Sequence, residues 1–149
     1  MKNKRLLPPT YFFMSILIMA LLHFILPVTE VIAYPHNLAG GLPLIAGIIL
    51  NLIADAAFKK HGTTVKPFEE SSALITDGAF RISRHPMYLG MALILLGLAI
   101  LMGSLSPMII VIAFVILMEL IFIKNEERML ELKFGKVWLE YKNQVRRWF

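Results

Sequence analysis

Four long apolar runs dominate the hydrophobic pattern of this chain, at about 11–26, 42–58, 88–102 and 107–123. A helix rises 1.5 Å per residue, so each run is near the shortest that spans a hydrocarbon core of ~30 Å. The pattern predicts an all-α integral membrane bundle of four transmembrane helices. Pro8-Pro9 stiffens the entry to the first span, where a missing amide donor costs little. Pro27 ends that span, and Pro35 to Gly41 form a short outer loop. The last two runs are separated only by about Gly103–Ser106, which makes them an antiparallel helical hairpin.

Two polar segments stand out against these runs. The connection from Lys59 to Met87 is rich in turn formers (Gly62, Pro67, Ser71, Ser72, Asp77, Gly78). Long loops in compact proteins are functional or disordered. The spaced apolar residues Val65, Phe68, Leu74, Ile75 and Phe80 favour an ordered loop that folds back on the bundle. The tail from Lys124 to Tyr141 alternates apolar residues with Lys and Glu at helical spacing and reads as an amphipathic helix. Gly135 marks a break within it. Such a helix either lies in the lipid interface or caps a pocket between the loop and the hairpin.

Composition fits this picture. The chain has 149 residues, 58% of them hydrophobic, against about half in soluble domains. There is no cysteine, which excludes disulfides, thiolate nucleophiles and Cys-based zinc sites. His23, His36, His61 and His85 lack ligand spacing, so no metal is expected.

The net charge of +5 suggests nucleic acid until the charges are located. Lys2, Lys4 and Arg5 precede the first span, and Lys59, Lys60, Lys66, Arg81 and Arg84 follow the second. The tail carries the other seven of the 15 Lys and Arg, and the first and third connections carry none. Basic residues resist translocation. The chain is therefore read as a multi-pass protein of the plasma (inner) membrane with both termini cytoplasmic, and nucleic acid is not an expected partner. A rival reading takes Met1–Arg5 and the first run as a signal peptide cleaved near Val31-Ile32-Ala33. Against it, the run exceeds a usual signal core, and its loss would upset the charge parity.

With this topology, the hairpin sets Arg84-His85-Pro86 beside Glu126-Glu127, although about forty residues separate them in sequence. Glu119, two helical turns before Glu126, extends the same stripe into the bilayer. Buried acids of this kind are kept for a partner or a ligand. Interface charges also form structural ion pairs of small energy, and charge alone does not separate the two readings. On the second span, Asn51, Asp55 and Lys59 share a face, and an Asp55–Lys59 pair is the plain expectation.

The residues from Leu74 to Gly90, LITDGAFRISRHPMYLG, resemble the signature of the isoprenylcysteine carboxyl methyltransferase and phospholipid methyltransferase superfamily. A Glu-Glu pair follows the next span there as Glu126-Glu127 does here, and Phe134 to Val145 resembles the family's ending. Gly62-Thr63-Thr64-Val65-Lys66-Pro67 looks like a stretch common in bacterial members. The resemblance covers Gly62 to Trp148. Phe80 and Trp138 stand where tyrosines are usual, and Phe122 stands where prenylcysteine enzymes carry a substrate-side arginine.

The resemblance implies one methyltransferase domain over residues 1–149, with the cofactor-binding half at about 62–149. The implied cofactor is S-adenosyl-L-methionine, held between the ends of the third and fourth spans under the C-terminal helix. Its implied contacts are Leu74, Ile75, Phe80, His85, Pro86, Met87, Tyr88 and Glu126. Arg84 and Glu127 are the implied catalytic pair, with Arg84 orienting an anionic or polar acceptor, or the donor carboxylate, and Glu127 positioning Arg84 or acting as base. The implied acceptor is lipid-like or a small hydrophobic molecule arriving from the bilayer. The alternatives are an NADPH-dependent membrane reductase of related fold and a non-catalytic membrane interaction protein.

Overall fold

The computed structural model describes residues 6–63 and 71–149. Lys2, Lys4 and Arg5, the Thr64–Pro67 motif and Phe68 lie outside the described residues. The described residues form helices α1 (Pro8–Ile25), α2 (Gly41–Lys60), α3 (Pro86–Met102), α4 (Leu105–Leu117), α5 (Lys124–Phe134) and α6 (Lys136–Gln144), with short 3-10 turns at His36–Gly40 and Gly78–Arg81. Pro8 and Pro86 sit in the first turns of α1 and α3, where the ring's fixed φ suits a helix start.

Among the described residues, three helical stretches are long and apolar enough to cross a membrane: Pro8–Ile25, His36–Lys60 and Leu105–Phe134. The apolar α3, with 17 residues, is shorter. It is also the most enclosed, with α2 on one side and α4 and α1 on the other. Its Leu95 and Ala99 are fully buried with Phe114, Met118 and Phe122 of the following rod. Phe13, Leu17 and Phe24 of α1 and Ile45, Ile49 and Leu52 of α2 stay exposed, as lipid-facing positions must.

Glycines set the α2–α3 distance. A Cβ on Gly47 would stand 2.5 Å from the Gly90 carbonyl oxygen, and one on Gly40 would stand 2.5 Å from that of Gly97. Hydrogen in place of a side chain lets the two backbones approach as small residues do between membrane helices. At the end away from the charges, the α3–α4 turn is tied to the α1–α2 connection. The Gly103 carbonyl accepts from the amides of Val31 and Ile32, and Leu105 N–H donates to Thr29. Ser106 Oγ donates to the Leu26 carbonyl at 2.8 Å.

The fourth span departs from the sequence expectation. It does not stop at about 123 with a separate tail helix beginning at Lys124. Helix α4 runs through a π turn at Met118–Ile123 directly into α5, one rod of 30 residues ending at Phe134. The expected tail helix is therefore two pieces, the end of this rod and the separate α6. They are divided at Gly135, whose φ of 52° and ψ of −120° only glycine adopts without strain. Once folded, Lys124–Phe134 extends α4 as readily as it starts a new helix, because no breaker stands between them.

The π turn also corrects the expected stripe. In a regular helix Glu119 and Glu126, seven apart, share a face. A π turn takes up about one extra residue, so Glu127 comes into line beneath Glu119, and Glu126 turns towards α3.

Candidate active site

The α1 N-terminus, the α2 C-terminus and the α3 N-terminus meet at one end of the bundle around a cavity of about 590 Å3. That lies within the about 300–1,000 Å3 typical of small-molecule sites. Its walls come from distant parts of the chain. The loop before α3 supplies Leu74, Ile75 and Phe80; the turn into α3 supplies Arg84, His85, Pro86, Met87 and Tyr88. Helix α5 contributes Glu126, Met129 and Leu130, about one turn apart on one face, and α6 contributes Trp138 and Tyr141. Pro8 and Pro9 close the side towards α1. Every sequence-predicted site residue except Glu127 thus lies on this wall.

The loop is held in place from several sides. Phe80 packs edge-on against Phe58 of α2, with centroids 5.4 Å apart, and its carbonyl accepts the Tyr141 hydroxyl at 2.6 Å. Burial pushes the Tyr141 hydroxyl pKa up against the lowering pull of the Arg84 charge, so it remains a donor. Ile75, Phe80, Trp138 and Tyr141 form a small core of their own beneath the cavity. The amphipathic α6 therefore caps the pocket with its aromatic face.

Behind the wall lies a buried charge cluster. Arg84 donates through Nε and Nη2 to Glu127 Oε1 at 3.1 and 2.9 Å, and through Nη1 to the carbonyls of Lys142 and Val145. These bonds use four of its five N–H groups. Arg147 donates to Glu127 through Nε at 3.1 Å and Nη2 at 2.5 Å, and through Nη1 to Glu119. Trp148 Nε1 donates to the other Glu119 oxygen at 3.2 Å. The C-terminal segment is further pinned by Ser83 Oγ, which donates to the Arg147 carbonyl, and by Arg84 N–H, which donates to the Arg146 carbonyl.

His85 lies between cluster and cavity, with Nδ1 3.5 Å from Glu126 Oε2 and Nε2 3.3 Å from Glu127 Oε1. Burial lowers its pKa, but the hydrogen bonds and charges of Glu126 and Glu127 outweigh this and leave it raised. A protonated ring satisfies both carboxylates at once. It also balances the cluster, with Arg84, Arg147 and His85 facing Glu119, Glu126 and Glu127. Glu126 takes the Tyr88 hydroxyl at 2.5 Å.

Other candidates stand apart from the cavity. Asp55 pairs with Lys59 at 2.5 Å on an exposed face, the plain expectation for it. Asn51 bonds the Gly47 carbonyl at 3.1 Å and abuts Gly90. Phe122, at the position of the prenylcysteine enzymes' arginine, is fully buried and stacks on Tyr88 at 6.3 Å. In the sequence Arg147 is one of the seven basic residues of the tail, Trp138 stands where a tyrosine is usual, and neither carries an expected role in the site. Their signal is position: Trp138 lies within the Phe134–Val145 stretch that resembles the family's ending, and Arg147 follows it by two residues.

Comparison with known proteins places these features. A phospholipid methyltransferase family model matches residues 36–137, two thirds of the chain. An uncharacterized protein of Haemophilus influenzae is 40% identical over 62 residues, 42% of this chain and 98% of that protein. The structure of the eukaryotic intramembrane Ras methyltransferase ICMT (isoprenylcysteine carboxyl methyltransferase) superposes with a TM-score of 0.66 at 24% identity. It covers 95% of this chain, which spans about half (51%) of that protein, and at this identity the likeness shows the shared fold. The family match covers α2 to α5, with the loop and the hairpin that build the cavity, so this chain belongs to the phospholipid methyltransferase family.

Proposed function

We propose that the protein is an S-adenosylmethionine-dependent methyltransferase acting on a lipid-like or small hydrophobic acceptor at the cytoplasmic face of the membrane. One observation carries this reading. The residues that resemble the family's cofactor motif, drawn from the loop, α3 and α5, line a single cavity large enough for a nucleoside cofactor. The chemistry of the walls fits such a group. Phe80, Tyr88 and Trp138 offer aromatic faces for an adenine or a sulfonium. Glu126 can accept from an ammonium or a ribose hydroxyl with a charge-assisted bond.

Bound there, S-adenosylmethionine supplies an electrophilic methyl group on a sulfonium. The chain's own share is positioning and water exclusion, which in well-oriented sites removes several kcal/mol of barrier. Leu74, Ile75, Met129 and Leu130 make the apolar sides. His85 holds Glu126 on the cavity wall by charge. Arg84 orients the acceptor through its remaining N–H. Glu127, behind the wall with its oxygens committed to Arg84, Arg147 and His85, is a positioning residue in this reading, and the base role is not proposed for it. Residues 1–149 act as one methyltransferase domain, the cofactor held by about 62–149.

Titration of the purified protein with S-adenosylmethionine and with NADPH tests the reading. Saturable binding of the first and none of the second is expected. Binding of NADPH instead would establish the reductase alternative, and binding of neither would leave a non-catalytic membrane protein. Mass spectrometry of lipid extracts incubated with labelled methyl donor then identifies the acceptor.

A further inference from the structure

Trp138 is 1% exposed and forms part of the cavity wall. Its indole Nε1–H meets no acceptor among the described residues. The polar groups around it are spoken for. Tyr141 on the same face of α6 donates to the Phe80 carbonyl, and Arg84, 5.8 Å above the indole ring, has four N–H groups in use. The contrast with Trp148 is direct, because its Nε1 is matched by Glu119 Oε2.

An indole nitrogen can only donate, so no change of protonation or tautomer relieves the mismatch. Buried polar atoms are almost always paired, and an exception needs a reason. A phenylalanine would fill much of the same apolar space without the penalty. The position also lies one residue beyond the matched family range, which ends at residue 137.

The rest of the wall says what the donor is for. Facing the cavity are the Glu126 carboxylate, aromatic rings and aliphatic chains, together with Ser71, Arg84, His85 and Lys133. Arg84 has four N–H groups in use, the His85 nitrogens face Glu126 and Glu127, and the Tyr88 hydroxyl is given to Glu126. The donors of Arg84, His85 and Tyr88 are thus largely committed to protein partners, whereas an adenosyl amino acid carries ring nitrogens, ribose oxygens and a carboxylate that all need one. We propose that Trp138 is a ligand-binding residue whose Nε1–H donates to an acceptor oxygen or nitrogen of the methyl donor in this cavity. This assignment rests on the S-adenosylmethionine reading above.

The test uses the full chain purified in detergent and S-adenosylhomocysteine, the demethylated form, as titrant. Three proteins are compared: the parent, Trp138→Phe, and the protein carrying benzothienylalanine at 138, an isostere with sulfur in place of N–H. Both replacements are expected to weaken binding about tenfold or more, the usual consequence of losing one buried hydrogen bond to a ligand. The melting temperature without ligand should stay level or rise, because an unmatched donor has been removed. If Trp138→Phe does not fold, the isosteric protein alone decides.

Affinity within twofold of the parent would overturn the proposal, the N–H then being met by water alone. A fall in the ligand-free melting temperature of the isosteric protein would also overturn it, since the N–H would be structural. A parent that does not bind the titrant overturns the cofactor reading, and the Trp138 role with it. Equal binding by parent and variants overturns the Trp138 role only.

Discussion

His85 and Glu126 are the residues through which the charge cluster reaches the cavity. Replacing either by alanine removes a polar group from the wall and leaves its partner less constrained. Each variant is expected to bind S-adenosylmethionine roughly ten- to hundredfold more weakly, the equivalent of about 1.5–3 kcal/mol for a bond to a charged group. Calorimetric titration checks this, and unchanged affinity in both would make the motif structural. His85 also gives stability a pH dependence of definite sign. Its folded-state pKa lies above the ordinary 6.5. Its contribution is then fully present below that value and is lost as pH rises through the raised one. The parent's melting temperature should fall as pH rises above 6.5 and through the raised value, a fall that His85→Gln should lack. Equal pH profiles would show that the ring is already neutral in the fold.

At the scale of elements, the structure turns on how closely helices approach and where they break. Gly47→Ala forces a Cβ against the Gly90 backbone carbonyl, which cannot swing aside. Overpacking of this kind costs about 1–3 kcal/mol. Gly41→Ala, at the start of the same helix with nothing within 4 Å, should be neutral or slightly stabilising. Thermal unfolding of the two variants in detergent makes the comparison, and equal melting temperatures would show that α2 can shift without cost. The spans were legible because apolar length and charge parity are one-dimensional signals. The meeting of the 84–86 turn with Glu126 was legible because a four-residue connection leaves a hairpin no other arrangement. The π turn was not, since Met118–Ile123 is as apolar as the α-helix before it and only tertiary packing chooses the wider turn. That hidden turn decides which glutamate faces the cavity and which lies behind it.

On the scale of the whole molecule, the charged helix ends gather around the cavity, and the opposite end is tied through Gly103. From the charge parity we propose that the cavity end faces the cytoplasm. Reporter fusions within 59–84 and at Phe149 should therefore both give cytoplasmic signals. An outside signal from the 59–84 segment would put the cavity out of reach of a cytosolic cofactor. The C-terminal segment was the least legible part of the site, because Arg84's carbonyl acceptors at Lys142 and Val145 leave no trace in side-chain pattern.

Those same contacts impose an order on assembly. While the chain is being made, the four spans can insert and pair as soon as α4 is complete, but Glu119 and Glu127 have no Arg147 and Arg84 has no carbonyls to bond. Carboxylates in that position stay hydrated, because a charge is expensive to bury without its partner. The charge cluster is complete only when residues 142–148 have packed against it. Pairing of the spans and maturation of the site are therefore separable steps, and the second waits on residues 142–148.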